Sequence, residues 1–258
     1  MIQRLPRSCS VRCLLGLAAT LLAAAAALPA HAEGGWLNHV LGINSIAGSG
    51  RPKTEAREVG NFQGVAIKGP MKIVLRQGTR EGVEVSADDN LLELIETAVE
   101  RGTLKIGPKK GVSYSSRSPV TVTVDFIALK DLAVGGSADV VGQGIKAAAL
   151  DVAIGGSGSV RLPELQTRTL SLAIGGSGDF ETSGRAVKLS IGVGGSGSVR
   201  AERLDADDVS VSIGGSGDAS VRANRTLDVA VAGSGDVVYS GDAIVKTSIA
   251  GSGSVKKR

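Results

Sequence analysis

One short turn recurs seven times in the second half of this chain, and each copy closes a run of alternating aliphatic residues. Its core positions are Gly136-Ser137, Gly156-Ser157-Gly158, Gly176-Ser177-Gly178 and Gly195-Ser196-Gly197, then Gly215-Ser216-Gly217, Gly233-Ser234-Gly235 and Gly251-Ser252-Gly253. The serines follow one another at steps of 20, 20, 19, 20, 18 and 18 residues. A fixed period of this size marks stacked supersecondary units, each too thin to bury its own apolar face. The runs before the turns, such as Leu170-Ser171-Leu172-Ala173-Ile174, alternate apolar and small or polar residues. That pattern is a strand with one buried face. The prediction is an all-β, single-stranded parallel β-helix, a solenoid of roughly 20 residues per coil. A corner reversed in three or four residues needs positive φ or no side chain, and stacked corners bring backbones close, so glycine is expected there. The serine is expected to bond neighbouring backbone or the next serine up the stack. Ala138, in the third glycine's place in the first copy, implies a looser corner at that end.

The start of the chain is read apart from the fold. Arg4, Arg7 and Arg12 precede the apolar stretch Leu14 to Leu28, and Ala30-His31-Ala32 follows as a small-residue cleavage site. Residues 1–32 are thus a signal peptide, and the mature chain is exported, to be periplasmic, on the outer surface or secreted. The apolar stretch is too short for a membrane span, and no transmembrane segment is expected in the mature chain. Cys9 and Cys13 both lie in the leader, so the mature chain has no thiol chemistry. Three of the 29 basic residues leave with it, so 26 face 25 acidic ones. That balance gives no reason to expect nucleic acid as a partner.

Residues 33–58 read as an N-terminal linker broken by Gly34-Gly35 and Arg51-Pro52, although Ile46-Ala47-Gly48-Ser49-Gly50 repeats the last turn letter for letter. It is either a detached copy of the turn or a linker of like composition. Residues 59–130 read as an N-terminal β cap, and residues 131–258 as the repeat solenoid. Within the cap, Asp88-Asp89-Asn90 is placed to cap one or two helical turns at Leu91 to Ile95. Glu100-Arg101-Gly102 is placed as a hairpin turn, and residues 107–118 as a loop or protrusion. The open ends of a solenoid are unpaired strands, which charged loops, the Lys256 to Arg258 tail or a homo-oligomer would cover.

Candidate chemistry is sparse. The residue after each turn is Asp139, Ser159, Asp179, Ser198, Asp218, Asp236 or Ser254. Stacking aligns them, so Asp139, Asp179, Asp218 and Asp236 are ligand candidates for calcium or sugar hydroxyls. The competing reading is that these oxygens satisfy corner N–H groups through local turns. The calcium-binding β-roll repeat has a nine-residue period that this chain lacks. Asp205, Asp207 and Asp208, beside Glu202 and Arg203, raise the alternative of a polysaccharide lyase or hydrolase, although a polar loop between coils is the commoner explanation of such a cluster. His39 is the only histidine of the mature chain, which leaves no histidine-based triad or metal cluster in reach. Tyr114, Arg117, Lys109 and Lys110 share the one long loop, as a sugar- or partner-binding element or a solvated one. No catalytic residue, cofactor or metal is assigned.

Residues 59–258 resemble the bacterial family of autotransporter adhesins with a head GIN domain. The resemblance rests on Asn61-Phe62-Gln63-Gly64-Val65-Ala66-Ile67, Leu75-Arg76-Gln77-Gly78, Asp88-Asp89-Asn90-Leu91-Leu92, Gly102-Thr103-Leu104-Lys105-Ile106 and the Gly-Ser-Gly repeats. It implies a β-solenoid whose tight turns join two sheets, and a non-catalytic adhesin-like or structural role. The partner implied is a glycan or protein at the cell envelope. A calcium-stabilised structural module remains a further alternative to the enzyme.

Overall fold

The computed structural model describes residues 44–258; the leader and His39 lie outside the described residues. The cap contains β1 (Asn44–Ala47), β2 (Pro52–Arg57), β3 (Gly64–Lys68), β4 (Lys72–Gln77), β5 (Gly82–Asp88), β6 (Ile95–Glu100), β7 (Thr103–Pro108), β8 (Val112–Ser115) and β9 (Thr121–Phe126). The solenoid is built from β10 (Asp131–Gly136), β11 (Asp139–Gly142), β12 (Lys146–Gly156), β13 (Ser159–Ile174), β14 (Asp179–Val193), β15 (Ser198–Gly215), β16 (Asp218–Gly233), β17 (Asp236–Ser240), β18 (Ile244–Gly251) and β19 (Ser254–Lys257). From β10 onward every pairing between successive coils is parallel, as in Leu132↔Val152, Leu172↔Ile191 and Val211↔Val229. The predicted β-solenoid is the fold observed.

Each coil turns three groups of side chains inward. In the coil carrying β13 these are Val160 with Leu162, then Leu165, then Leu170, Leu172 and Ile174. Stacking extends each group into a column, for example Val134, Ile154, Ile174, Val193, Ile213 and Val231, all buried. Branched aliphatic side chains suit this setting, because neighbours one strand apart meet side by side on the pleat. Fully burying such a side chain contributes about 1.5–3 kcal/mol, so each coil depends on its neighbours for stability. The three phenylalanines, Phe62, Phe126 and Phe180, are fully buried among aliphatic residues.

The uneven sequence steps have a single structural origin. Between β13 and β14 the register is Leu162↔Thr182 before the bend and Leu165↔Gly184 after it, so one residue is lost there. It is regained between Glu181↔Arg200 and Ser183↔Arg203. Two more are lost between Ala201↔Val221 and Asp208↔Thr226. The bend opposite the Gly-Ser turn therefore absorbs all length changes, and the Gly-Ser turn stays in register. Glu164 holds φ +60 at this bend, and its N–H donates to Ser183 Oγ at 3.1 Å.

Spatial order in the cap differs from chain order. The β3–β4 coil lies between two others: β7 and β9 pair parallel with it on one side, and β10 and β11 on the other. Antiparallel strands then close the end, with β6 on β7, β5 on β9, and β2 on β5. The outermost strand β2 reads Pro-Lys-Thr-Glu-Ala-Arg, and proline and charge discourage further pairing at an edge. The hairpin joining β6 and β7 turns through Arg101 at φ +51 and Gly102 at φ +76, the two left-handed residues of a tight primed turn.

Three parts of the cap differ from the sequence expectation. Residues 44–57, expected within a linker, contain the strands β1 and β2. The repeat-like Ile46 to Gly50 lies outside the stack, because β1 pairs with β8 in a separate two-stranded sheet. The expected loop at 107–118 consequently contains a strand. Asp88, Asp89 and Asn90 do not cap the short 3-10 turn Leu92–Leu94, which has no side-chain cap. Asp89 and Asn90 hold β1 and its turn instead, and Asp88 holds the residue that follows β8. Asn90 accepts from Ser49 N–H at 2.9 Å and donates to Ala47 O at 2.8 Å, Asp89 accepts from Ser49 Oγ, and Asp88 accepts from Ser116 Oγ at 2.7 Å.

The three places of the turn carry different constraints. A methyl on Gly176 would lie 2.5 Å from Gly156 O, and one on Gly178 would lie 2.5 Å from Ile154 Cγ2 and 2.8 Å from Gly158 O. A methyl on Gly175 would meet nothing within 4 Å, and the same place holds Ala232 and Ala250 in the last two copies. Ala138 is tolerated where the preceding coil turns through Gly69-Pro70-Met71 instead of a Gly-Ser-Gly corner. Gly176→Ala is therefore expected to cost about 1–3 kcal/mol, as overpacked sites do. Gly175→Ala is expected to be neutral or to stabilise by about 0.4–1 kcal/mol through the unfolded chain. Urea unfolding of the two variants beside the parent checks the pair, and equal midpoints would contradict the assignment.

Candidate binding surface

The turn is a backbone structure. Ser157, Ser177, Ser196, Ser216, Ser234 and Ser252 donate their N–H groups to Gly136, Gly156, Gly176, Gly195, Gly215 and Gly233 carbonyls at 2.9–3.0 Å. The residue after the turn continues the ladder, with Asp179 N–H to Gly158 O at 3.1 Å and Ser198 N–H to Gly178 O at 3.2 Å. The serine side chains point to solvent, and no side-chain hydrogen bond links them among the described residues. Serine thus contributes through its amide, while the glycine before it, without a side chain, allows close stacking.

The Asp/Ser row lies on the sheet face that comes after each turn. Its register runs Asp139↔Ser159↔Asp179↔Ser198↔Asp218 and closes with Asp236↔Ser254. The carboxylates reach along the stack instead of back into their own turns. Asp139 accepts from Ser159 Oγ at 2.5 Å, Asp218 from Asp236 N–H at 3.0 Å, and Asp236 from Ser254 N–H at 3.0 Å and Ser254 Oγ at 2.6 Å. The Ser254 hydroxyl, followed by the Ser254 amide and Lys256, holds the Asp236 carboxyl below the usual carboxylate range. Among the described residues no three His, Cys, Asp or Glu side chains converge on one point.

Two places outward along the same strands, Arg161, Glu181 and Arg200 form a second polar row in register. Arg161 Nε lies 3.7 Å from Glu181 Oε2, and Arg200 Nη2 lies 4.0 Å from Asp179 Oδ2. At the bend beyond them, Arg161, Pro163, Glu181, Thr182, Ser183 and Arg203 line an open cleft of about 180 Å³. Thr182 is buried but satisfied, its hydroxyl donating to Leu162 O at 2.8 Å. No sequence signal marks this cleft, because its residues converge only when the bends of successive coils stack.

Of the acidic group at Asp205 to Asp208, Asp205 and Asp208 are taken up by the next coil. Arg222 Nε lies 3.0 Å from Asp205 Oδ1, and Arg225 forks onto Asp208, which also accepts from Thr226 Oγ1 at 2.8 Å. Arg225 and Thr226 hold the Asp208 carboxyl below its usual range. These carboxylates are acceptors in ion pairs and form no opposed acid–base couple across a groove. Tyr114 sits in β8, half-buried, with its hydroxyl donating to Pro70 O at 3.2 Å, and burial pushes that hydroxyl's pKa up. It lines an open cavity of about 550 Å³ with Lys72, Ser116, Ser118 and Asp139.

Open rows of polar groups on a regular all-β scaffold define a protein that presents surfaces. The chain belongs to the family described as "Putative auto-transporter adhesin, head GIN domain", which matches residues 61–243. Its fold is similar to that of a "putative adhesin" from Bacteroides fragilis, at 26% identity and TM-score 0.77, over 83% of this chain and 100% of that one. A "putative lipid binding protein" from Parabacteroides distasonis is 29% identical with TM-score 0.70, over 83% and 99% of the two chains. A second "putative adhesin" from Parabacteroides distasonis, 20% identical with TM-score 0.66 over 83% and 100%, shares the fold. No curated protein matches the chain. Among the described residues no helix is long and apolar enough to cross a membrane.

The Asp236 contact gives a pH prediction. A lowered carboxyl pKa means that its stabilising contact is complete above the ordinary value of about 3.9 and is lost as pH falls through the lowered one. Ser254→Ala is expected to return the Asp236 titration toward the ordinary range. Carboxyl ¹³C NMR titration reads this directly, and an unchanged midpoint would remove Ser254 as the cause.

Proposed function

We propose that this protein is a non-catalytic, adhesin-like binding head of the bacterial envelope, exported by its leader, whose partner is a glycan. The observation that carries the reading is the pair of polar rows on one solenoid face. Asp and Ser share one row, and Arg161, Glu181 and Arg200 stand beside its members Ser159, Asp179 and Ser198, at the strand spacing of about 4.8 Å. Carboxylates and guanidiniums offer charge-assisted, bidentate hydrogen bonds, and the cleft at Arg161 and Arg203 adds a concave end to the rows. An extended polar polymer crossing these three coils would meet one charged side chain of the second row and one Asp or Ser of the first at each step. Membership of an adhesin family and likeness to adhesins support binding over turnover. The paired state of Asp205 and Asp208 weighs in the same direction.

A glycan array probed with residues 33–258, followed by mass spectrometry of the retained glycans, tests the proposal. Intact glycans are expected on the protein, with retention reduced at least about tenfold in the Arg161→Ala, Arg200→Ala double variant, the scale of one or two charge-assisted bonds. Shortened or unsaturated products would replace this reading with a lyase or hydrolase. Empty arrays beside retention on lipid vesicles would transfer it to the lipid surface suggested by the Parabacteroides neighbour.

A further inference from the structure

The sheet face that precedes each turn is the opposite of the polar one. The outward row farthest from the turn holds Ala149, Thr169, Lys188, Asp208, Thr226 and Ile244, and three rows lie nearer the turn. The first is Asp151, Ser171, Ser190, Ser210, Asp228 and Lys246. The second is Ala153, Ala173, Gly192, Ser212, Ala230 and Ser248. The third is Gly155, Gly175, Gly194, Gly214, Ala232 and Ala250. Lys246 is the only long side chain in these three rows across six consecutive coils. Nothing inside the molecule calls for this. Methyl groups on Gly155 or Gly175 would meet nothing within 4 Å, and neither residue has a left-handed φ. Glycine without a steric reason weakens a strand, and in sheets it often marks the close approach of another backbone.

We propose that this bare face docks against the same face of a second copy, about a two-fold axis parallel to the strands. That rotation reverses coil order and sets each row against itself. One register gives each of these charged residues a polar partner: Lys246 faces Asp151 of the second copy, Asp228 faces its Ser171, and Ser190 faces its Ser210. In the same register Gly155 faces Ala250, Gly175 faces Ala232, and Gly194 faces Gly214, so the backbones approach closely without clash. A two-fold along the solenoid axis would instead set Asp151 against Gly155 and leave Asp151, Asp228 and Lys246 of each copy without partners. Six strands at about 4.8 Å, each contributing five residues at about 3.3 Å, cover roughly 480 Å² per copy. The total of about 950 Å² lies just below the 1,200–2,000 Å² of stable complexes, so the dimer is weak and concentration-dependent. This surface is separate from the polar rows and leaves them free.

Sedimentation velocity of residues 33–258 between about 10 μM and about 1 mM, the range of weak association, tests the proposal. The parent is expected to shift from monomer to dimer across this range. Ala173→Arg, which places a long charged side chain in the middle row of the face, opposite Ala230 of the second copy, is expected to remain monomeric with an unchanged thermal melt by circular dichroism. Lys246→Asp is expected to weaken association at least about tenfold, and the exchange Lys246→Asp with Asp151→Lys to restore it. A parent that stays monomeric at the highest concentration overturns the proposal. So does an Ala173→Arg variant that dimerises like the parent, or a charge exchange that restores nothing.

Discussion

Backbone-to-backbone contact at the Gly-Ser corner is the constraint on which the rest of the molecule depends. Each corner amide donates to a glycine carbonyl one coil earlier, as Ser177 does to Gly156 at 2.9 Å. The ladder therefore continues around the corner without interruption. Most β architectures lose pairing where the chain reverses, and their turns are free to drift. Here a side chain on Gly156, Gly176 or Gly195 would sit 2.3–2.5 Å from the carbonyl behind it, so the corner admits one register only. Length variation is excluded from this edge and accumulates at the opposite bend, where Pro163, Ser183 and Arg203 absorb it.

A fixed corner also sets the direction of the strand that leaves it. The residue after each turn always emerges on the same face, which brings Asp and Ser into one row and lets each carboxylate accept from the next coil. Two residues on, Arg161, Glu181 and Arg200 align for the same reason. The strand before the turn ends at the open glycine position, and the outward residues that the corner aligns there are short, although no internal contact requires it. The corner thus sets the register of both faces, and the residues placed there give them opposite character. The polar face suits hydrogen bonding to a polar polymer, and the bare face suits close contact with another sheet.

The parts of the fold that repeat were legible in the sequence, and the parts that occur once were less so. Steps of 18 to 20 residues and alternating aliphatic runs lead straight to a parallel solenoid, because both patterns reflect local geometry. The hairpin at Arg101-Gly102 was readable for the same reason. Residues 44–57 and Asp88 to Asn90 were not. Their roles arise from partners about 40 residues away, such as Ser49 for Asp89 and Ala47 for Asn90, and short-range capping rules point elsewhere. The exchange of chain order in the cap, with the β3–β4 coil between two others, has no local signature either. In the candidate surface, the sequence located the Asp/Ser row but not the direction in which its carboxylates bond. It also missed the Arg161 and Arg203 cleft, because a register change at a bend decides which residues meet there.

Amide hydrogen exchange at Ser177, Ser196 and Ser216 tests the central claim most directly. These residues have exposed side chains in turns, and ordinary exposed turns exchange quickly. If each amide is bonded to the preceding coil, its protection will match that of strand amides such as Leu172 and Val211 in the same coils. Fast exchange at the corners beside slow exchange in the strands would contradict it. The stack would then be held by its aliphatic columns alone, and the corner would no longer set the register of either face.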